Sequence, residues 1–227
     1  MKRSIIWTLS AAALLAAAPS ALDTARDTQD RAALTKLADD SAATATKSPN
    51  DAEAQYRMAL ACSYLAEVAI EQHDRKQGQQ AAERGIKAGE KAVALKPDSA
   101  EYYRVLGTLY GQAIIDIPSG LSYGPKAKDA INKAVEKAPK SSSVYLARGV
   151  GNYYLPSMLG GGPKPAEEDC RKAIELDSKN AEAYLWLGLS LRKENRDAEA
   201  RQAFAKSLEL NPKRVWAKQQ LEKTPVK

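Results

Sequence analysis

Few side chains of this 227-residue sequence are grouped in a way that could do chemistry. The single histidine, His73, lies in a hydrophilic segment with no second histidine and no cysteine near it. A histidine-based metal site or a Ser-His-Asp triad needs such neighbours, so the sequence supports neither. The adjacent pair Glu167 and Glu168 falls on a polar helix face, where solvation explains both residues. We therefore predict a protein that is not an enzyme, with no catalytic residue, no metal site and no cofactor.

A glycine-rich segment at residues 160–164 looks superficially like a phosphate-binding loop. It lacks the outer glycine spacing of such loops and the Ser or Thr that follows their lysine, and no predicted strand precedes it. The segment therefore does not predict a nucleotide site.

Two recurring phrases indicate the architecture that must position any functional residue. A lysine, a small residue and a branched apolar residue, followed by a helix stop, occur at residues 91–97, 133–139, 172–178 and 206–212. An aromatic residue followed by glycine four positions later occurs at residues 103–107, 145–149 and 184–188. Two phrases in constant order, every few tens of residues, indicate an array of one supersecondary unit.

The last unit identifies the kind of array. Residues 181–214 span 34 positions and carry six characteristic residues: Tyr184, Leu187, Gly188, Ala200, Phe204 and Pro212. At this spacing the sequence resembles the tetratricopeptide repeat (TPR) family, whose unit is two helices closed by a proline. The resemblance implies an all-α fold, a right-handed α-solenoid of antiparallel helix pairs, with inserted inter-helix loops and a C-terminal capping helix.

The repeats also give a domain organisation. We expect a single TPR solenoid domain over residues 22–227, because a helix pair cannot bury its apolar face without neighbours. Its predicted parts are a half-unit at 29–48, units at about 51–98, 99–140, 141–180 and 181–214, and a capping helix at 215–223.

Three glycines are predicted in the middle of helices, where glycine costs about 1 kcal/mol relative to alanine. We expect close helix–helix approach at Gly107, Gly149 and Gly188 to offset that cost. Small residues of the second helices are expected to fill the space that these glycines leave; they are Ala92, Ala134, Ala173 and Ser207.

The N-terminus has the pattern of a secretory signal peptide. Two basic residues precede an apolar run at residues 5–18, and small residues follow it. The run is shorter than the roughly 20 residues of a membrane span. We expect residues 1–21 to be removed after Ser20 or Ala21, which leaves a periplasmic or secreted protein with no stable membrane span. An uncleaved anchor is the alternative.

The distribution of charged residues bears on whether the protein binds nucleic acid. The formal charge is +6, or +4 without the two basic residues of the leader, and charges of both signs are interspersed. That pattern does not predict a nucleic-acid interface.

Cys62 and Cys170 lie two units apart, so we expect free, buried thiols rather than a disulfide.

A motif P-S-x-L-x-x-G-P-K occurs twice, at residues 118–126 and 156–164. Both copies are predicted between the first and second helices of their units, hence as loops on one edge of the solenoid, where insertions often form a binding face. They either shape structural turns or hold a ligand or partner. The motif residues are Pro118, Ser119, Leu121, Gly124, Pro125, Lys126, Pro156, Ser157, Leu159, Gly162, Pro163 and Lys164.

The TPR resemblance implies a concave groove lined by the first helix of each unit. Carried onto this sequence, the stripe comprises Tyr56, Leu60, Tyr64, Arg104, Thr108, Gln112, Leu146, Val150, Tyr153, Tyr154, Leu185, Leu189 and Arg192. Tyrosines suit such a surface because they offer large rigid area with a polar tip. The Lys and Asn cluster that clamps a C-terminal carboxylate in some family members is absent.

Two hypotheses about function follow. The favoured one is an exported scaffold that binds a protein or peptide partner through its concave groove and inter-helix loops, with self-association left open. The alternative is a solute-binding or transporter-accessory protein that encloses a small hydrophobic ligand. An open groove favours the scaffold, and a closed channel of several hundred Å³ favours the alternative.

Overall fold

The folded chain consists of helices joined by short turns. The computed structural model describes residues 20–226, which form eleven α-helices and one 3₁₀ turn with no strand among them. The helices are α1 Ala21–Asp27, α2 Arg31–Lys47, α3 Ala52–Glu71, α4 Arg75–Leu95, α5 Ala100–Gln112, α6 Ile117–Lys137, α7 Ser142–Tyr154, α8 Pro163–Leu176, α9 Ala181–Lys193, α10 Asp197–Leu210 and α11 Val215–Glu222, and the 3₁₀ turn is Ser157–Leu159.

Short polar side chains mark many of the helix starts. The carboxylate of Asp30 accepts the backbone N–H of Ala33 at 2.9 Å, and the amide oxygen of Asn180 accepts that of Ala183 at 3.1 Å. Each such cap satisfies a donor that the first turn leaves unpaired, and it stabilises the helix by about 1 kcal/mol.

The helices pack as an all-α solenoid, which confirms the predicted fold class. The pairs are α3 with α4, α5 with α6, α7 with α8, and α9 with α10, and the first helices of neighbouring pairs also contact each other. Helix α2 packs on α3, and α11 packs on α10. Helix α1, which no repeat phrase predicts, packs on α2 and α3.

Close helix approach at the mid-helix glycines is confirmed, but the expected partners are wrong. A Cβ atom on Gly107 would lie 2.7 Å from Ile131, and one on Gly188 would lie 2.6 Å from the ring of Phe204. At Gly149 the nearest side chains include Cys170, with Sγ 3.3 Å away. The expected Ala134, Ala173 and Ser207 are not among the nearest contacts at these three glycines, and Ala92 belongs to the first unit, which has Ala59 in place of the glycine. In the last three pairs the filling residue lies one helical turn earlier, so the register of the paired helices differs by a turn.

The apolar interior is divided into two clusters. The first is built mainly from α2 to α6 and contains Cys62, whereas the second is built from α8 to α11 and contains Cys170. Both cysteines are free and buried. Burial raises the pKa of the Cys62 thiol to about 11 and that of Cys170 to about 12, so both behave as small apolar side chains.

The two copies of the duplicated motif adopt different structures. The loop prediction is wrong for residues 118–126, which lie inside α6. Asp116 explains the helix, because its carboxylate accepts the backbone N–H of Ser119 at 2.8 Å and forms a capping box with that residue. Tyr123 anchors the next turn by stacking on Tyr110 at 5.9 Å.

Residues 156–162 form a loop, in which Gly160 and Gly161 take the places of Ser122 and Tyr123 of the helical first copy, whereas Gly162 matches Gly124. Gly160 and Gly161 together would cost a helix about 2 kcal/mol relative to alanine. Gly160 and Gly162 have φ of 85° and 107°, which side-chain-bearing residues rarely adopt. A Cβ on Gly161 would lie 2.3 Å from the carbonyl oxygen of Leu155. The loop ends where Pro163 begins α8.

None of the helices within residues 20–226 combines the length and the apolar character that crossing a membrane requires. The predicted signal peptide lies outside the described residues, apart from Ser20 and Ala21. Ser20 caps α1, accepting the backbone N–H of Asp23 at 3.1 Å.

Candidate functional site

The concave face retains a polar and aromatic site between α3 and α5, which we call the Tyr–Arg patch and define as Tyr56, Tyr64, Glu101 and Arg104. Arg104 donates to the Glu101 carboxylate from Nε at 2.7 Å and from Nη2 at 2.6 Å. The Tyr56 hydroxyl donates to the same carboxylate at 3.0 Å. Glu101 therefore holds the arginine and the tyrosine of two helices in one arrangement.

Charge is fixed at this patch. Burial alone would raise the pKa of Glu101, but the hydrogen bonds from Arg104 lower it below the usual carboxyl range. Burial alone would lower the pKa of Arg104, but Glu101 raises it. Both groups are therefore ionised at any ordinary pH, and they form a charge-assisted, bidentate pair.

Aromatic stacking makes the patch rigid. The Tyr56 ring lies 4.8 Å from the ring of Tyr102, nearly parallel at 18°. The Tyr102 hydroxyl donates to Glu53 at 3.2 Å, which ties the start of α5 to the start of α3. A surface built on two packed helices loses little entropy when a partner binds.

Helix α1 covers the other end of the patch. The Tyr64 hydroxyl donates to Asp23 at 3.3 Å, and the Arg26 guanidinium lies 4.9 Å from the centre of the Tyr64 ring. Helix α1 therefore covers part of the Tyr64 side chain, which remains half-buried.

Two predicted stripe residues of α5 have partners within the fold. Thr108 donates its hydroxyl to the carbonyl oxygen of Arg104 at 3.0 Å. Gln112 exchanges hydrogen bonds with Ser63, donating to its carbonyl oxygen and accepting from its hydroxyl, both at 3.1 Å. Gln112 therefore supports the α3–α5 contact, whereas the Thr108 hydroxyl is bound within α5.

The stripe continues on α7 with mixed exposure. Leu146, Val150 and Tyr153 are half-buried against the second apolar cluster. Tyr154 is 55% exposed, although its ring contacts Tyr153 edge-on at 5.2 Å and Trp186 at 5.8 Å.

The α9 part of the stripe is closed, which corrects the prediction for three residues. Leu185 and Leu189 are buried in the second cluster, which also holds Trp186 and Trp216. Arg192 donates from Nη2 to the side chain of Gln220 at 2.6 Å and from Nη1 to its carbonyl oxygen at 3.3 Å. The C-terminal helix α11 thus takes the place that a partner would need.

A buried group of charges, absent from the predicted site, joins the two ends of the solenoid. We call it the charge cluster; its members are Arg26, Asp27, Glu67, Glu71, Glu182 and Arg214. The fully buried Arg214 donates to Glu182 at 2.9 Å and to Glu67 at 2.7 Å, and it forms a bidentate pair with Glu71. It therefore bridges α3 and α9 across the concave face, although repeat units usually contact only their neighbours.

Helix α1 completes the charge cluster. Arg26 pairs with Asp27 at 2.7 Å and lies 3.8 Å from Glu182, and Asp27 also accepts from Asn211 at 2.8 Å. The contacts of Arg26 with Glu182 and of Asp27 with Asn211 connect residues more than 150 positions apart in sequence. Two arginines face four carboxylates, so the fully ionised cluster has a formal charge of −2.

The cluster responds to pH because its carboxylates are in excess. Burial raises the pKa of Glu71 to about 8, and the nearby Glu67 adds to the effect. Burial also raises the pKa of Glu67. At Glu182 burial acts in the same sense, but Arg214 and Arg26 lower the pKa below the usual range. A proton held at the Glu67–Glu71 pair offsets part of the negative excess.

No sequence pattern indicated this cluster. Arg214 follows the closing proline of the last unit, and Glu67 and Glu71 lie on a first helix at spacing i, i+4, which is typical of a solvated face. Only the curvature of the whole array brings them together.

Two surface depressions lie outside the groove. One of about 670 Å³ is open to solvent between α4 and α6, with Glu83, Glu90 and Tyr123 among its lining residues. Another, of about 210 Å³, lies between α2 and α3. Within residues 20–226 there is no group of His, Cys, Asp and Glu side chains suited to hold a metal ion.

Comparison with known families places the chain. Residues 15–158, more than half of its length, match the family described as regulator of microtubule dynamics protein 1-3. The chain belongs to this family. Residues 181–214 of this family member also match the tetratricopeptide repeat, which confirms the recognition made from that unit. A comparison with curated proteins gives no significant match.

One solved structure shows the same fold, and two others have lower similarity. A thermophilic TPR protein of Thermus thermophilus superposes with a TM-score of 0.60 at 24% identity, over 84% of this chain and 90% of its own. MamA from Desulfovibrio magneticus RS-1 gives 0.48 at 17% identity, over 88% and 99%. Pseudomonas aeruginosa pilF gives 0.46 at 18% identity, over 71% and 64%. This member of the regulator of microtubule dynamics family is therefore a TPR-like solenoid, a fold that generally serves as a protein-interaction scaffold.

Proposed function

We propose that this protein is an exported, non-enzymatic scaffold that binds an extended segment of a partner protein on the open part of its concave face. The site is the Tyr–Arg patch, with the half-buried side chains of α7 beside it. From the family we carry over only the helical scaffold, because the predicted signal peptide directs the chain out of the cytoplasm.

The unused half of the Arg104 guanidinium carries this proposal. Its Nε and Nη2 atoms bind Glu101, whereas Nη1 has no hydrogen-bond partner among residues 20–226. The side chain remains 19% exposed. Two N–H donors in a fixed fork suit a peptide carbonyl or carboxylate, and the flat Tyr56 ring next to them offers apolar contact area.

The shape of the protein favours this function over the enclosed-ligand alternative. The depressions described above open to solvent on surfaces away from the groove. A small hydrophobic ligand instead needs a site that buries most of its surface. The inter-helix segments do not line the Tyr–Arg patch, so we assign them no part in peptide binding.

Selection of peptides from a displayed library on the purified chain tests the proposal. We expect selected peptides to bind wild-type protein and to lose about thirtyfold in affinity on Arg104→Ala, which corresponds to roughly 2 kcal/mol at an interface hot spot. Affinity is measured by fluorescence anisotropy, and thermal melting shows that the variant is folded.

Arg57→Ala is the matched control for Arg104→Ala. Arg57 also forms an ion pair with a glutamate on its own helix, Glu53, but both residues are exposed outside the patch. Its removal should leave peptide affinity unchanged. Equal losses in the two variants, or selected peptides that bind Arg104→Ala as well as wild type, would place the binding site elsewhere.

Export is tested separately by expression of the full gene in a diderm bacterial host. We expect chain recovered from the periplasm to begin at Ala21 or Leu22. Either cut removes Ser20, the cap of α1. Chain that retains Met1 and fractionates with the membrane would show an uncleaved anchor instead.

A further inference from the structure

Most exposed large apolar side chains within residues 20–226 lie on one edge. Eight such side chains are exposed there, and six of them lie at or near the junction of α5 with α6 or of α7 with α8. We call these six the apolar edge: Ile114, Ile117, Leu121, Tyr154, Met158 and Leu159. The other two are Leu95 and Val226. A concentration of exposed apolar side chains on one edge is a feature of sites that interact with proteins or membranes.

Both halves of the apolar edge lie at the same end of neighbouring helix pairs. Ile117 and Leu121 lie four residues apart on the first turns of α6, so they share one face. Met158 and Leu159 lie in the 3₁₀ turn just before α8. Because α5 packs on α7, these two tips are neighbours along one edge.

The four outermost side chains protrude from the surface. Leu159, Leu121, Ile117 and Met158 are 62%, 76%, 79% and 90% exposed, and none of them lines either depression described above. An anchor for a protein partner is usually packed within a well-formed interface. Separate protruding tips instead suit insertion into a deformable apolar medium.

Two lysines lie behind the apolar tips, where lipid headgroups would lie if the tips entered a membrane. Lys128 follows Leu121 by seven residues, which places it about 10 Å down the same face of α6. Lys164 lies in the first turn of α8, just after the second tip. Both lysines are exposed, and neither forms an ion pair with any residue of 20–226. Asp116, the carboxylate beside the first tip, is engaged as the cap of Ser119.

We propose that the apolar edge docks the protein on a membrane surface with anionic lipid headgroups. Ile117, Leu121, Met158 and Leu159 enter the outer acyl region, while Lys128 and Lys164 contact the headgroups. Amphipathic surfaces bind membranes in this manner, with apolar residues buried roughly 5–10 Å and charges at the interface. This site is distinct from the Tyr–Arg patch, so docking would leave the concave face free for a protein partner.

Vesicle sedimentation with the full chain tests this proposal. The vesicles are phosphatidylcholine alone, or phosphatidylcholine mixed two to one with phosphatidylglycerol. We expect the protein to partition onto the anionic vesicles and to dissociate at high salt. Replacing all four tips, Ile117→Ser, Leu121→Ser, Met158→Ser and Leu159→Ser, should reduce partitioning about tenfold or more, because the apolar and electrostatic contributions are both needed.

Matched variants separate the edge from general effects. The control for the tips is Leu95→Ser with Val226→Ser, which removes the exposed apolar side chains elsewhere. Lys128→Gln with Lys164→Gln should weaken anionic binding, whereas Lys47→Gln with Lys179→Gln, at the opposite edge, should not. The apolar run of residues 5–18 is identical in all variants, so its contribution cancels in the comparison.

Three results would overturn membrane docking. One is wild-type protein that binds anionic vesicles no better than neutral ones. A second is unchanged partitioning of the four-tip variant with its melting temperature intact. The third is a four-tip variant that keeps vesicle binding but loses self-association or binding to a protein, which would identify the edge as a protein interface. Arg104→Ala, which tests peptide binding, should leave vesicle binding unchanged.

Discussion

The predicted stripe runs along both halves of the concave face, but it is accessible in one half and buried in the other. On α3 and α5 the stripe residues Tyr56 and Arg104 remain accessible and hold polar groups toward solvent. On α9 the equivalent residues Leu185 and Leu189 are buried, because α11 and the second apolar cluster close over them. Repeat register thus predicts which side chains face the groove. Whether the groove is open there depends on segments outside the repeats.

Arg214 joins the closed half of the concave face to α3. Its removal should therefore cause the largest loss of stability. Arg214→Ala leaves Glu67, Glu71 and Glu182 without their shared partner, which should cost roughly 3–5 kcal/mol of unfolding free energy. Urea denaturation measures the loss. The control Arg171→Ala removes an exposed arginine whose partner, Glu167, keeps its second ion pair with Arg196, so it should cost at most about 1 kcal/mol. Similar losses for the two variants would mean that Arg214 does not hold the ends together.

Two glycine substitutions test how tightly each half of the concave face is packed. We expect smaller changes in stability than for Arg214→Ala, and of opposite sign. In the closed half, Gly188→Ala directs a methyl group into the Phe204 ring and should cost about 1–3 kcal/mol. In the α7 helix of the open half, a Cβ on Gly151 meets nothing within 4 Å. Gly151→Ala should therefore stabilise the protein by up to about 1 kcal/mol through helix propensity. Thermal melting shows whether each variant has a higher or lower melting temperature than wild type. Stabilisation by Gly188→Ala would contradict the close packing against Phe204.

The pH dependence of stability tests the charge cluster through a slope rather than a single loss. Because burial raises the pKa of Glu71 to about 8, the folded state holds this proton more tightly than the unfolded chain does. Stability is then greatest near pH 5 and falls as the pH rises toward 8, by at most about 1.4 kcal/mol per pH unit for one proton. Glu182 acts oppositely: its lowered pKa contributes stability that is lost only at more acidic pH.

Glu71→Gln isolates the source of this pH dependence. Removing the titrating group should flatten the fall in stability between pH 5 and pH 8, as measured by urea denaturation at each pH. The control Glu175→Gln changes an exposed carboxylate of α8 and should leave the profile as in wild type. A slope that persists in Glu71→Gln would assign the titration to a different group.

The repeated phrases were sufficient to predict the solenoid, because each phrase specifies where a helix lies or ends within one unit. Gly188 with its aromatic neighbour specifies a first helix, and Pro212 ends a second one. These signals act within one unit, where sequence separation is short. The close approach at Gly107, Gly149 and Gly188 could be predicted for the same reason.

The candidate site was predicted only in part, because two of its determinants are not local. The first copy of the duplicated motif became helical through Asp116, a cap outside the motif, and through Tyr123, which replaces a glycine of the second copy. Arg214 meets Glu71 across 143 positions, a contact that follows from the curvature of the whole array. A repeat pattern without coordinates contains neither piece of information.

Hydrogen exchange with a bound, library-selected peptide tests most directly whether the open half of the concave face is the binding surface. We expect added protection in α3 and α5, around Tyr56 and Arg104, and none in α9 around Leu185. The same experiment on Arg104→Ala, at equal peptide concentration, should lose that protection. Protection confined to α9 and α11, with α3 and α5 unchanged, would contradict the assignment of the site.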